Sequence, residues 1–581
     1  MITLLKTYLE RFYKLAGSTM KYAFLVNFLL FGLVLLLVTP TYETNDDVGM
    51  IIIESGNSNM LEPSEYVLFS NILLGKILKN LNIINNQIPW HTIYIILALF
   101  ASYSILFYTL IKRLGYKYAT LFYVIIFFTY GVNSLIALQF TKTASILAIS
   151  AYMLLFYDYK SDNQNENIVV RYLVAVLLFV FSSLIRFDSF FLISLIFSPV
   201  FFYIFFLNKV YLLKRFGILV VSFFLIIAGF LYNNAAYKKW GNFMEYNVYR
   251  ATIVDYDAFE KLTDKENKEL LQKVQWSEND KKSICSWFFA DSNVYSLEKL
   301  KIIHEYTNDK ITDKTHLLHL TVDLLKSKDL KKFASKMFVL TLFLFFIALI
   351  NGKKKEFIIS VTILFIVALL FIAISIFYKV PPNRVLEGML WAIVVFSFLL
   401  IDKIVLFGKK NYYYFLIFLI FALNNIRIIK ADNNLRHNSG EYKNYVNWLI
   451  SNEEKYTYFS FKGASCNEHI PAYSNVYQLH KTKIVSLGTL QNSPAMMSTL
   501  NKIGIKDGLL LKHLDNPNFV FLYKDKRVKS SVLEHPDLDN ILMFMKEHYG
   551  ITGHFKEIAS FPINKMLVHA VQFERDMAPA H

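Results

Sequence analysis

Asn45-Asp46-Asp47 comes directly after an apolar run from Tyr22 to Val38. A bilayer core takes about 20 apolar residues to cross, so two adjacent carboxylates stand where the chain leaves the membrane. Asp46 and Asp47 are therefore the first candidates for catalysis. A carboxylate within hydrogen-bond reach of a hydroxyl can take its proton as a general base. Its neighbour can orient it, or help hold a divalent cation such as Mg or Mn through oxygen ligands. The plainer use is structural. Aspartates favour helix N-caps and first turns, and a short surface helix is expected at Val48–Glu54.

Four cations complement that acidic pair. Thr141-Lys142-Thr143 opens an apolar segment, and Ser182-Ser-Leu-Ile-Arg-Phe-Asp188 interrupts an apolar hairpin with Arg186. Tyr378-Lys-Val-Pro-Pro-Asn-Arg-Val385 carries Lys379 and Arg384 on a turn stiffened by two prolines. Lys142, Arg186, Lys379 and Arg384 together would suit a lipid phosphate or pyrophosphate, for which the planar arginine fork is well shaped. Each alone also has a simple reading, as a snorkelling lysine or a surface ion pair such as Arg186 with Asp188.

A third group has the composition of a sugar site. Glu245–Tyr256 holds Arg250 and Asp255, and Trp276-Ser-Glu-Asn-Asp280 holds Trp276, Asn279 and Asp280. Rings beside Asn and Asp offer a face to stack on and edges that bond hydroxyls. The same composition also suits a loop packed by its own aromatics, as Trp287 and Phe288 suggest.

The elements that must position these residues are membrane spans. The chain has 581 residues, 55% hydrophobic and 17% aromatic, which outweighs any reading as several soluble domains. Apolar windows predict about eleven spans, near 21–39, 91–111, 117–136, 139–157, 171–185, 189–207, 216–234, 335–351, 357–378, 385–401 and 411–429. Basic clusters at Arg11–Lys21, Lys112–Lys117, Lys209–Arg215, Lys353–Lys355 and Lys403–Lys410 all fall on one side if Tyr66–Leu81 lies on the surface and does not cross. The positive-inside rule makes that side cytoplasmic. It also accounts for the net charge of +16 without nucleic acid.

This topology puts the first loop (40–90), a large loop (235–334) and a tail (431–581) on the outer face. With them go the turns at 137–138, Arg186–Asp188 and Tyr378–Arg384. Residues 1–430 form the membrane module. The tail reads as a small soluble α/β domain. Its helices are expected at 441–452, 494–503 and 537–549, and its strands at Tyr456–Phe461, Lys483–Leu487, Phe519–Tyr523 and Met566–Phe573.

Several chemistries are disfavoured. There is no Gly-rich phosphate loop for a cytosolic nucleotide, no Ser-His-Asp pattern among the 13 histidines, and no zinc spacing around Cys285 and Cys466. No small-residue cleavage site follows the first apolar run, so a cleavable signal peptide is not expected.

Taken together, these residues resemble the GT-C superfamily of polytopic glycosyltransferases. The resemblance rests on Asn45-Asp46-Asp47 after the first span, the Ile185-Arg-Phe turn, the Ser277-Glu-Asn-Asp loop, the alternating outer loops and the outer tail. The chain closely resembles uncharacterised bacterial members with the same three motifs. It implies a GT-C-like helical membrane fold in the bacterial inner membrane, with the N-terminus cytoplasmic and the tail outside. The implied activity is inverting transfer of a hexosyl or pentosyl group from a polyprenyl-phosphate donor to a glycan, lipid or polymer acceptor. Asp46 or Asp47 would be the base, the four cations would take the phosphate, and Asn45, Arg250, Asp255, Trp276, Asn279 and Asp280 would meet sugar or acceptor. No Trp-Trp-Asp-type motif is present, which argues against protein N-glycosylation. A polysaccharide polymerase or ligase would lean on outer-loop arginines more than on an acidic pair. A transporter of lipid-linked sugars would want ionisable groups near the midplane, and the spans hold few.

Overall fold

The computed structural model describes residues 10–11, 13–56, 62–159, 168–312, 314–337, 354–400, 439–461, 464, 472–473, 482–526, 536–563 and 566–576. Among them, eight helices are long and apolar enough to cross a membrane, from Thr19–Leu37 to Asn383–Leu400. The protein is an integral membrane protein. The expected span at 411–429, and all of 335–351 beyond its first three residues, lie outside the described residues.

One further apolar helix, Phe140–Phe156, is buried at every position. It is apolar all round because protein surrounds it. Asn383–Leu400 packs against it closely, and a Cβ at Gly388 would stand 2.7 Å from Ser145 Oγ. Small residues at such crossings let helices approach. This one sets the residue before it, Glu387, beside Lys142.

Segment 65–82 contains a helix at Ile72–Ile84, capped by the Asn71 side chain. Its 13 residues extend about 20 Å, short of a hydrocarbon core of about 30 Å. It begins later than the expected surface helix at Tyr66–Leu81, because residues 65–71 turn back to bond other helices. There the Asn71 amide N–H donates to Leu184 O and the Asn71 side chain donates to Gly229 O.

The two ends of the helix bundle are built differently. At one end, Asp158 sits buried between Arg171 (2.6 Å) and Arg215 (3.0 Å), tying three helices together. The other end carries the first loop, the large loop and the tail. Here β1 (Thr41–Tyr42) pairs in parallel with β2 (Ala137–Leu138), lashing the first loop to the start of Phe140–Phe156.

The tail is a five-stranded sheet of β3 (Thr457–Phe461), β4 (Lys483–Leu487), β5 (Phe519–Lys526), β6 (Gly553–Ile563) and β7 (Met566–Arg575), in the order β4-β3-β5-β7-β6. β3 pairs in parallel with β4 and β5, and β7 runs antiparallel to β5 and β6. Alternation along the strands separates two cores. Tyr458, Val520 and Val568 face the helix Ser439–Ser451 through Tyr445 and Leu449. Phe459, Phe521 and Val571 face the large loop, where Trp276, Phe288 and Tyr295 join them. The large loop is thus the second layer of the tail's core, and a boundary drawn at residue 430 passes through it.

β6 was not expected from the sequence. Its register shifts between Glu557 and Ala559, it contains Pro562, and it is an outer strand of the sheet among the described residues. Edge strands tolerate such features.

Candidate functional site

The first-loop helix is Asn45–Ser55, longer than the expected Val48–Glu54, and it places Asp46 and Asp47 in its first turn. Neighbouring residues on a helix point about 100° apart, so the two carboxylates face different surroundings. Asp47 is fully buried. Its Oδ1 accepts the Phe140 amide N–H at 3.1 Å, which puts a negative charge at the positive end of the interior helix. It also stands 3.4 Å from His91 Nε2, whose Nδ1 is 3.3 Å from Glu54 Oε1. His91 thus clamps both ends of the first-loop helix to the membrane body. Burial pushes the Asp47 carboxyl up to about 6, with His91 and the Phe140 amide opposing.

Asp46 is the outward partner. Its side chain keeps 28% of its exposure, and Oδ2 stands 3.5 Å from Arg384 Nη2. Asn45 beside it is exposed. Three other segments approach this point. Burial raises the Asp255 carboxyl, with Arg250 opposing and Asp46 adding to the rise. Lys379 bonds Asp257 at 2.5 Å. Tyr256 packs edge-on against Tyr378 and lies within the electrostatic reach of Arg186 and Asp188. The first loop, the large loop and the Pro-Pro turn therefore meet around Asp46.

The four expected phosphate cations divide. Arg186, Lys379 and Arg384 are partly exposed, each with one carboxylate partner: Asp188 at 3.0 Å, Asp257 and Asp46. Arg186 also donates to Phe69 O at 3.2 Å. Lys142 is only 4% exposed and held between Glu43 and Glu387, the latter at 3.2 Å. Asn133 donates to both oxygens of Glu387, at 3.0 and 2.9 Å. Lys142 is thus matched by two carboxylates inside the protein, where a lone lysine would be costly.

The expected sugar residues of the large loop divide: Asp255 lies near Asp46 with Arg250 paired to it, and Trp276, Asn279 and Asp280 lie between loop and tail. Arg250 is 2% exposed, pairs with Asp255 at 3.2 Å and lies over the Trp287 ring. The Trp276 indole N–H donates to Val294 O at 2.9 Å. Asn279 donates to Asn540 O at 3.0 Å. Asp280 accepts the Ser277 amide in a capping box and stands 2.7 Å from His548 Nε2. Trp276, Asn279 and Asp280 therefore help join loop and tail, and the Trp276 indole N–H and both Asp280 oxygens already have partners.

The tail also reaches the first loop directly. The Ala472 amide donates to Pro40 O at 2.8 Å. Its carbonyl accepts the Thr92 hydroxyl, which in turn meets Tyr42 OH, both at 2.5 Å.

Asp46 and Asp47 do not fit a shared cation, because one faces Arg384 and the other is turned into the protein. Among the described residues, the group of three ligand-bearing side chains that converges is Asp280, Glu547 and His548.

Sequence reasoning missed Glu43, Glu54, His91 and Glu387. A signal was present for two of them: His91 and Glu387 are ionisable residues inside apolar spans, which points to function or pairing.

No family model and no curated protein matches the chain. Two solved structures align with it, both of ArnT from Cupriavidus metallidurans, one in the apo state and one bound to undecaprenyl phosphate. Each alignment covers 94% of this chain and 96% of the other at 8% identity, with TM-scores of 0.37 and 0.36. A likeness this loose transfers neither residues nor activity.

Proposed function

We propose that this protein is a GT-C-type membrane glycosyltransferase that moves a sugar from a polyprenyl-phosphate donor to a hydroxyl on a glycan, lipid or polymer acceptor. One observation carries the reading. Asp46 is a partly exposed carboxylate at the end of a membrane helix bundle, with Arg384 at 3.5 Å and Lys379 and Arg186 on adjoining segments. A lipid-borne phosphate would arrive at that level, and a water-soluble donor needs no such placement.

In this reading Asp46 takes the proton from the acceptor hydroxyl. The freed oxygen pair attacks the anomeric carbon from the face opposite the phosphate, forming the new glycosidic bond with inversion. The bond from that carbon to the phosphate oxygen breaks, and its electron pair leaves on the phosphate. Arg384, Lys379 and Arg186 stabilise the charge that develops there, the preorganised electrostatic role that usually supplies the largest share of acceleration. Lys142 acts from behind, holding Glu43 and Glu387. Asp47 anchors the helix that aims Asp46. The two carboxylates face different partners and do not converge on a shared cation.

Topology follows the charge pattern. The Asp158–Arg171–Arg215 end, with Lys112 and Lys117, is cytoplasmic in a bacterial inner membrane, and the Asp46 end with the tail is outside. The test uses purified protein in vesicles with radiolabelled polyprenyl-phosphate sugars and a cell-envelope extract. Transfer or donor hydrolysis that requires Asp46 supports the reading. Vectorial movement of intact donor without cleavage refutes it.

A further inference from the structure

Where the first loop, the large loop and the tail meet, they line an open pocket of about 290 Å³. Its wall combines Tyr66 and Trp240 with Ser64, Ser498, Glu62 and Lys502. We propose that it is an acceptor subsite binding one sugar ring of a glycan chain, an inference that rests on the transferase reading above.

The aromatic part is preorganised. The Tyr66 ring stacks on Trp240 with centroids 4.7 Å apart, and edge-on against Tyr237. Its backbone is held on both sides. Glu65 is bonded to Lys79 at 2.7 Å, and its carbonyl presses so closely on Gly75 that no Cβ fits there. Leu68 adopts a left-handed backbone at φ 59, and its amide donates to Tyr237 OH at 2.9 Å. Strain of this kind in a bulky residue persists where the surroundings impose it, and it gathers at binding sites.

The polar part suits hydroxyls. Ser64 and Ser498 offer donors and acceptors, while Glu62 and Lys502 pair across the mouth at 3.3 Å. The mouth is thus close to neutral, which does not select for a phosphate. An aromatic wall with a few convergent polar groups at a junction of segments is a usual form of ligand site. Its position fits the chemistry. Ile53 lines the pocket and sits on the helix that carries Asp46, about 10 Å along its axis. A short oligosaccharide reaches from one to the other.

The test is binding of the full-length protein in nanodiscs to an array of defined neutral, acidic and amino-sugar oligosaccharides. It compares wild type with Ser498→Trp, which fills the pocket from an exposed position, and with Asp46→Asn. We expect selective binding by wild type, a loss of about tenfold or more in Ser498→Trp, and retained binding in Asp46→Asn. Lys502→Glu, also at an exposed position, should shift selectivity away from acidic sugars. Binding to no oligosaccharide, or binding that Ser498→Trp leaves unchanged, overturns the subsite. Selective binding lost in Ser498→Trp, in a protein that cleaves no polyprenyl-phosphate sugar, keeps the subsite and overturns the transferase reading instead.

Discussion

The first loop and the large loop each present an aspartate next to a basic partner, yet they are built for opposite ends. Asp46 is partly open, its side chain 28% exposed and 3.5 Å from Arg384. Asp280 is 1% exposed, capped by Ser277 and bonded to His548 of the tail. A carboxylate whose partners are complete has nothing left for a substrate. One with a single long contact at an open face can still act on one. Completeness of hydrogen bonding separates the two regions, and residue type does not.

The sharpest way to break this comparison is to remove the tail. Truncation near Asp432 would strip Phe288, Tyr295 and Trp276 of Phe544, Phe459 and Phe461. A tail without a recognisable catalytic constellation would let the chemistry survive that cut. The shared core predicts instead complete loss of folded, detergent-stable protein by size-exclusion chromatography. A monodisperse truncation that still hydrolyses donor would show that the large loop folds without the tail.

Next in size is Arg384→Ala. Losing a charged hydrogen bond to a phosphate costs about 1.5–3 kcal/mol, or roughly 10- to 100-fold in donor affinity. Lys355→Ala, near the opposite end, should change affinity little. Equal donor affinity in the two variants would remove Arg384 from the phosphate site.

Asp280→Ala should act on stability and leave the chemistry alone. Unpairing His548 and the Ser277 cap costs about 1–3 kcal/mol, read as a lower melting temperature, while turnover per folded molecule stays near that of wild type. A large fall in turnover with unchanged melting would return Asp280 to the reacting centre.

The smallest effect is in pH. Burial raises the Asp47 carboxyl from 3.8 to about 6 in the folded protein. The folded state therefore holds this proton more tightly than the unfolded one. The contribution of Asp47 to stability is full below about pH 4 and is lost as pH rises through about 6. Asp47→Asn should flatten that part of the stability profile in thermal melts. An unchanged slope would mean that Asp47 is not buried as described.

Much of this architecture was legible from composition. Long apolar runs locate the spans, and lysines and arginines sort the loops so that the turns at 137–138, 186–188 and 378–384 share one end. The site was legible only in part. Asp46 and Asp47 are indistinguishable as neighbours in sequence, and the helix turn decides which faces out. Lys142 reads as a free cation because its partners Glu43 and Glu387 lie far away along the chain. Trp276–Asp280 reads as a sugar site because an interface between loop and tail uses the same aromatic and amide side chains. β6 escaped notice because a register shift and Pro562 break its alternation.

The central claim is that Asp46, and not Asp47, acts on the acceptor. Its most direct test is single-turnover transfer from a saturating polyprenyl-phosphate sugar in Asp46→Asn, with donor binding measured on the same preparation. The account predicts a rate lower by roughly 10²–10⁴-fold with donor affinity retained, the usual contribution of a general base. A near-normal rate in Asp46→Asn would contradict it.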